Sequence, residues 1–426
     1  MVKKNLYKKE LDGLRGIAVL AVIFNHFNNN FLPSGYLGVD IFFVISGYVI
    51  TMSLINKRHY KLLPFFTDFI SRRIKRLLPI LLIFVSTTAL MVMILNPTPG
   101  YFLWSGIYSL IGISNIEFWK NTVDYFAPST LLNPFTHTWS LSVEAQFYVV
   151  FPFLIYFGGY QKLALNKKNI LITLLFITIF SFTIYFNLYN SNKSAAYFLM
   201  PSRAWELTTG SIIFFTQEKI SNFFRKSIIK VSNLIPILII GIFLLPNNFP
   251  VIATFLIVTL TAILIATINT QDFIYKILTS KDLRYVGIIS YSLYLWHWGI
   301  LALSRQSIGI YWWTIPFQIL LILLLSHLSY KYIERPFIEK SWPINKIIFS
   351  GLISITLIVS FIVFLGSNRK FIYAGKFPFE SFKSIGRLNN FQTGDNLNNF
   401  KRNIDGNAIY IFGDSHAYNL FPSLKN

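Results

Sequence analysis

The sequence predicts an all-α polytopic membrane protein of about eleven transmembrane helices with a cytoplasmic N-terminus, followed by the opening of an extracytoplasmic α/β fragment. Three observations carry this. Hydrophobic residues make up 54% of the 426 and charged residues only 13%, a balance foreign to a soluble domain of this size. Apolar runs of about 17 to 22 residues recur along most of the chain, the length that crosses roughly 30 Å of hydrocarbon at 1.5 Å per residue. The basic residues behind the net charge of +21 sit in short connectors between those runs. That distribution signals topology, and no nucleic-acid partner is expected from it. The expected location is the cell (cytoplasmic) membrane, with lipid as the surrounding partner.

The N-terminal MVKKNLYKKELDGLRG lacks a small-residue cleavage site, so the first span, 10–27, is expected to remain as an anchor. Further spans are predicted over 36–55, 75–95, 142–158, 169–187, 202–216, 230–246, 251–269, 285–304, 313–332 and 347–366. A shorter apolar segment, 101–114, is ambiguous. If it returns to the side it came from, the inner connectors are 1–9, 56–74, 159–168, 217–229, 270–284 and 333–346. These hold nearly all the loop Lys and Arg, with Lys57, Arg58, Lys61, Arg72 and Arg73 in one of them. The opposite connectors hold mainly Lys120 and Lys193, with Arg203 and Arg305 at span edges. Positive-inside bias then puts the N-terminus inside and the C-terminus outside. A full span at 101–114 would invert everything after it.

The domains expected are a membrane domain over 1–340, an additional transmembrane helix over 341–370, a polar extracytoplasmic linker over 371–406 and an α/β fragment over 407–426. In the fragment, NAIYIFGDSHAYNLF joins an apolar β-branched run to Gly-Asp-Ser-His, the strand-turn-helix opening of an α/β domain. Eleven residues follow Ser415, too few to close a core, so the domain is expected to be truncated. Cysteine is absent, which excludes disulfides, thiolate metal sites and an enzyme-bound thioester. No metal is expected.

The first span reads LDGLRGIAVLAVIFNHF. Arg15 and His26 are eleven residues apart, almost three helical turns, so they project from one face about 16 Å apart along the axis. Ionisable groups at such depth point to a functional polar cavity. The alternative is a neutral interhelical hydrogen bond for His26 and a snorkelling Arg15. With the following PSGYLGVDIFFVISGYVIT, this segment resembles the opening of the acyltransferase 3 family of membrane acyltransferases, whose signature is an Arg, ten residues and a His on the first helix. The resemblance implies that His26 is essential, as base or transient acyl carrier, that Arg15 supports the donor site, and that Asp12 and Asp40 are supporting residues.

In SRRIKRLLP, the cations Arg72, Arg73, Lys75 and Arg76 fall within about one helical turn. Such a cluster reads as a topology or anionic-lipid device. It also reads as a phosphate site, because Arg forks bind phosphates bidentately. The run recurs in the family, which implies that Arg72, Arg73 and Arg76 hold the phosphates of the donor, acetyl-CoA. HTWSLSVEAQFYVVFP puts His137 outside and Glu144 near the outer boundary of the next span, with Ser140 and Tyr148 one turn to either side of Glu144. A carboxylate there orients a histidine, accepts a proton or holds an acceptor hydroxyl, or else simply starts a helix. The family usually has two acidic residues before the Gln, and here the second is Ala145.

PSRAWELTTG, with Arg203 and Glu206, and ISYSLYLWHWGI, with Ser290, Tyr294 and His297, also match family runs and are expected to line or support the site. Arg203 and Glu206, three apart, are placed to neutralise each other. KYIERPF resembles the usual close of the membrane domain. FGDSHA resembles the first block of SGNH-type esterases and transferases, which makes Ser415 a nucleophile candidate. The later Gly, Asn, Asp and His of such a site do not follow, so Ser415 is expected to be inactive here.

The function implied is transfer of an acetyl group from cytoplasmic acetyl-CoA across the membrane to hydroxyls of a cell-surface polysaccharide: lipopolysaccharide O-antigen, peptidoglycan or another exopolysaccharide. Two other classes remain open: a secondary transporter or exporter with a buried His/Arg/Glu proton relay, and a non-catalytic membrane partner of glycan machinery.

Overall fold

A computed structural model of the chain describes residues 8–55, 61–121, 128–160, 166–225, 231–246, 248–368 and 372–374. The linker and the fragment bearing Ser415 lie outside the described residues. Every element described is helical. In chain order they are α1 (Lys9–Phe27), α2 (Gly38–Ile55), α3 (Leu62–Leu95), α4 (Gly100–Leu110), α5 (Ser114–Asn121), α6 (Pro128–Leu132), α7 (Thr138–Ile155), α8 (Lys167–Ser191) and α9 (Lys193–Phe198). Then follow α10 (Met200–Arg225), α11 (Val231–Phe243), α12 (Pro250–Thr267), α13 (Phe273–Leu278), α14 (Lys281–Ile288), α15 (Ser290–Gln306), α16 (Ile315–Ser329), α17 (Arg335–Glu339) and α18 (Ile344–Ser367).

Among the described residues seven helical segments are long and apolar enough to cross a membrane, and an eighth arises if α14 and α15, bent by 68° at their junction, count as one broken span. The chain is thus a multi-pass membrane protein, all-α among the described residues. Three predicted spans fall outside that set for visible reasons. The helix α1 carries Lys9, Glu10, Asp12 and Arg15, α10 carries Arg203 and Glu206, and α11 has only 13 residues. The ambiguous 101–114 segment forms the 11-residue α4, about 16 Å long and too short to span alone. Local signals set several starts. Asn166 caps α8 by accepting from the Asn169 amide at 3.2 Å, and α12 opens on Pro250, whose missing N–H costs nothing at a first helical position.

The bundle is inverted in polarity relative to a soluble fold. Phe176, Ile179 and Phe180 on α8, Leu320 and Leu324 on α16, and Phe349 and Leu352 on α18 are exposed, while Asp40, Arg203, Glu206, His137 and His297 are buried. Lipid supplies the apolar environment outside, and the interior takes the groups that lipid rejects. Small residues let the central helices approach to backbone contact. A Cβ on Gly47 of α2 would lie 1.7 Å from the Leu207 carbonyl oxygen, and one on Gly210 of α10 would lie 1.9 Å from that of Val44. The Gly13 face of α1 likewise meets the Leu278 carbonyl, and Gly287 of α14 meets the Asp12 carbonyl. These contacts lock the azimuth of α1, and with it the directions in which Arg15 and His26 point.

Candidate active site

A cavity between α1, α2, α3, α7 and α15 has Arg15, Arg73 and Arg76 in its wall. Arg15 lies 4.0 Å from Asp12, a buried carboxylate one turn back on α1. Arg73 lies against two aromatic faces, Phe69 at 5.0 Å and Tyr148 at 5.5 Å. Among the described residues neither Arg73 nor Arg76 makes an ion pair within 4 Å. Arg72, the third arginine of the predicted cluster, points elsewhere. It pairs with Asp68 and donates to Ser53 Oγ at 3.2 Å, on the side of α2. Lys75 turns away as well, to the Ile338 and Lys340 carbonyls.

Glu144 enters the same cavity from α7. Both its oxygens accept: Ser46 donates to Oε1 at 2.6 Å and Tyr148 to Oε2 at 2.7 Å. The predicted polar patch on one face of α7 is therefore real. It is grouped with Arg15, Arg73 and Arg76. The cavity wall itself holds three guanidinium groups and the one carboxylate Glu144, with Asp12 behind Arg15, and guanidinium forks of this kind suit an anionic ligand. Tyr291, which sequence reasoning missed, closes the wall by donating to the Leu77 carbonyl at 2.9 Å.

His26 occupies the last turn of α1, at the far end from Arg15 and away from the helix middle. Its Nδ1 is 3.0 Å from His297 Nε2 on α15, and the two ring planes are parallel within 1° with centroids 5.3 Å apart. His297 Nδ1 is in turn 3.0 Å from the Leu293 carbonyl. The Trp298 ring stands edge-on to His26 at 4.6 Å, with its own Nε1 donating to the Asn133 carbonyl at 2.8 Å. Arg305 donates to the His26 carbonyl at 2.7 Å, where a cation also meets the negative end of the α1 dipole. Trp298 and Arg305 carried no sequence signal as site residues beyond a tryptophan beside His297 and an arginine at a span edge.

His137, expected on the outer side of the membrane, is fully buried at the start of α7. Its ring centroid lies 5.8 Å from that of His297 and 5.3 Å from that of Tyr294. The reason is the compact turn before α7, where Thr136 donates to the Thr130 carbonyl at 2.7 Å and draws the segment inward. Tyr294 connects the two groups of residues. It lines the arginine cavity together with Ser140, its hydroxyl is 2.8 Å from Ser140 Oγ, and it donates to the His137 carbonyl at 3.0 Å.

Arg203, Glu206 and Asp40 form a separate buried cluster. The Arg203 guanidinium is 3.0 Å from Asp40 on α2 and 2.8 Å from Glu206 one turn along α10. Phe43, Trp139, Tyr185 and Tyr197 surround it at 5.4 to 5.8 Å. The mutual neutralisation expected of Arg203 and Glu206 is present, with Asp40 as a third member that ties α10 to α2. Among the described residues no group of three or more His, Asp or Glu is placed to hold a metal ion.

An interior of this kind, an arginine-lined cavity and a histidine pair joined by a tyrosine inside lipid-facing helices, defines a polytopic membrane protein with a buried polar interior. The chain belongs to the acyltransferase 3 family, whose profile, described as an acyltransferase domain, matches residues 8–364. Among curated proteins it is 31% identical to the O-acetyltransferase OatA of Staphylococcus aureus (strain NCTC 8325 / PS 47), over an alignment of 362 positions covering 79% of this chain and 58% of that protein. It is 32% identical to a putative O-acetyltransferase, SAS0844, of Staphylococcus aureus (strain MSSA476), with 79% of this chain and 58% of that protein covered. The chain thus spans less than two thirds of the length of these curated relatives. No solved structure gave a significant match.

Proposed function

We propose that the chain is a membrane O-acyltransferase that moves an acetyl group from cytoplasmic acetyl-CoA to a hydroxyl of a cell-surface polysaccharide. Family membership and the names of the relatives support the reaction class. The observation that carries the site is the pairing of a cation-rich cavity with the His26–His297 pair across Tyr294. Eleven crossings follow if α1, α10 and α11 also span, with the N-terminus and the Lys-rich connectors inside. Arg15 and the cavity then open toward the cytoplasm and His26 lies near the outer end of α1.

In this mechanism Arg73 and Arg76, with Arg15, hold the phosphates of coenzyme A, whose linear arm carries the thioester toward Tyr294 and His26. The acceptor hydroxyl loses its proton to His26 as its oxygen bonds to the acetyl carbon. The carbon–sulfur bond breaks, the thiolate takes the proton back from His26, and the products are the acetyl ester and free coenzyme A. Glu144 holds Ser46 and Tyr148 and balances part of the cavity charge. The test is donor binding and acetyl transfer by the purified protein in nanodiscs. Arg73→Lys with Arg76→Lys keeps the charge but removes the forks, and should weaken coenzyme A binding by about tenfold or more. Arg72→Lys, already committed to Asp68, should change binding by less than about threefold. His26→Asn should bind donor normally and transfer nothing. Full transfer by His26→Asn overturns the mechanism, and unchanged binding in the double variant moves the donor site elsewhere.

A further inference from the structure

We propose that His297 is a positioning residue that fixes the tautomer of His26, so that Nε2 is the nitrogen His26 offers for proton transfer. The inference rests on His26 acting as base. It follows from which atoms in the chain are able only to accept. The Leu293 carbonyl has no proton to give, so at 3.0 Å from it His297 Nδ1 carries the hydrogen and donates. A neutral imidazole has one N–H, and His297 Nε2 is therefore an acceptor. At 3.0 Å from that acceptor, His26 Nδ1 must be the donor. The proton of His26 is thereby assigned to Nδ1, and its lone pair to Nε2.

Geometry holds the assignment in place. The rings are parallel within 1° and their centroids are 5.3 Å apart, the separation of two imidazoles set end to end across a 3.0 Å contact, so the N–H bond of one and the lone pair of the other lie close to a common plane. His297 is fully buried in α15, Trp298 meets the His26 ring edge-on, and Arg305 grips the His26 carbonyl, so neither ring turns over without breaking a buried contact. The opposite tautomer of His26 would set two lone pairs against each other at 3.0 Å. When Nε2 takes a proton from the acceptor hydroxyl, the Nδ1 hydrogen bond to His297 persists, and the imidazolium forms without rearrangement.

Three substitutions separate this role from packing. Gln at 297 places an amide oxygen near the position of Nε2 and can accept from His26, Asn places its amide near Nδ1 and cannot, and Leu accepts nothing. His297→Asn and His297→Leu should lower kcat about 100-fold with KM for the donor unchanged, and His297→Gln should recover at least about tenfold of that loss. In the wild-type protein labelled with ¹⁵N-histidine, the His26 signals should show a protonated Nδ1 and an unprotonated Nε2, and in His297→Leu a mixture of tautomers. A wild-type spectrum with the proton on His26 Nε2 overturns the proposal whether or not the variants fold. Equal activity of the Gln, Asn and Leu variants, with His26→Asn inactive, also overturns it while leaving His26 as base. Full activity of His26→Asn removes the base itself.

Discussion

Glu117 is a buried carboxyl on the short helix α5, outside the spanning segments, held by Ser105 Oγ at 3.3 Å and by Asn121 Nδ2 at 3.2 Å. Burial pushes it up to about 7, because the charged form loses its hydration. A carboxyl whose folded value is raised binds its proton more tightly in the native state. Its stabilising contribution is complete below about 4.5 and is lost as pH rises through about 7. The thermal midpoint of the purified protein should therefore fall between pH 5 and 8, by an effect of at most about 3 kcal/mol. Glu117→Gln should flatten the pH profile while leaving the midpoint at pH 5 nearly unchanged, and an unaltered slope would remove Glu117 as the cause. Nothing in the sequence marked this residue, since its neighbours on α4 only become neighbours in the fold. The same limit applies at the centre. The spacing of Arg15 and His26 was legible because both lie on one helix, whereas His297, Trp298 and Arg305 reach His26 from more than 270 positions away. Arg72 and Arg73, adjacent in sequence, differ by about 100° in direction, and sequence alone does not say which of the two faces a cavity.

At the scale of elements, the contact of α2 with α10 is as close as helices come in this bundle. With Gly47 and Gly210 each facing the other helix's carbonyls, a side chain at either position forces the helices apart. Gly47→Leu should lower the thermal midpoint sharply and reduce accumulation in the membrane, and it should reduce acetyl transfer through displacement of Asp40 and Arg203. Gly241, whose Cβ would enter open space, is the control, and Gly241→Leu should have little effect on either readout. If both variants behave alike, close approach is not what holds α2 to α10. The positions of the eleven predicted spans all coincide with helices, because apolar length and helix formation have one cause in lipid. Their shapes do not follow from apolarity. The predicted span at 285–304 is broken by 68° at Ile289, where Gly287 is pinned against the α1 backbone, and α3 runs back to Leu62 through the basic stretch read as a connector.

For the whole molecule, the proposed arrangement makes the ends of the bundle unlike, and the absence of native cysteine allows a direct check. A membrane-impermeant maleimide applied to intact cells should label the Lys193→Cys variant and spare Lys340→Cys until the membrane is opened. The reverse pattern would invert the topology. Hydropathy identifies seven or eight of the helices because it registers apolar length, and α2 qualifies although 67% of its apolar window is buried inside the protein. It passes over α1 and α10 because each carries charged residues that the interior accommodates, Arg15 in the cavity wall and Arg203 with Asp40 and Glu206.

The separation of the arginine cavity from the histidine pair along α1 has an electrical consequence. Moving one elementary charge through a full membrane potential changes its energy by about 2.3 kcal/mol per 100 mV. In the proposed mechanism the phosphates stay at the arginine end, the acetyl thioester is neutral, and the hydroxyl proton that His26 accepts returns to the departing sulfur. No net charge traverses the field in a turnover, so acetyl export of this kind draws its driving force from the thioester bond and is indifferent to the voltage across the bilayer.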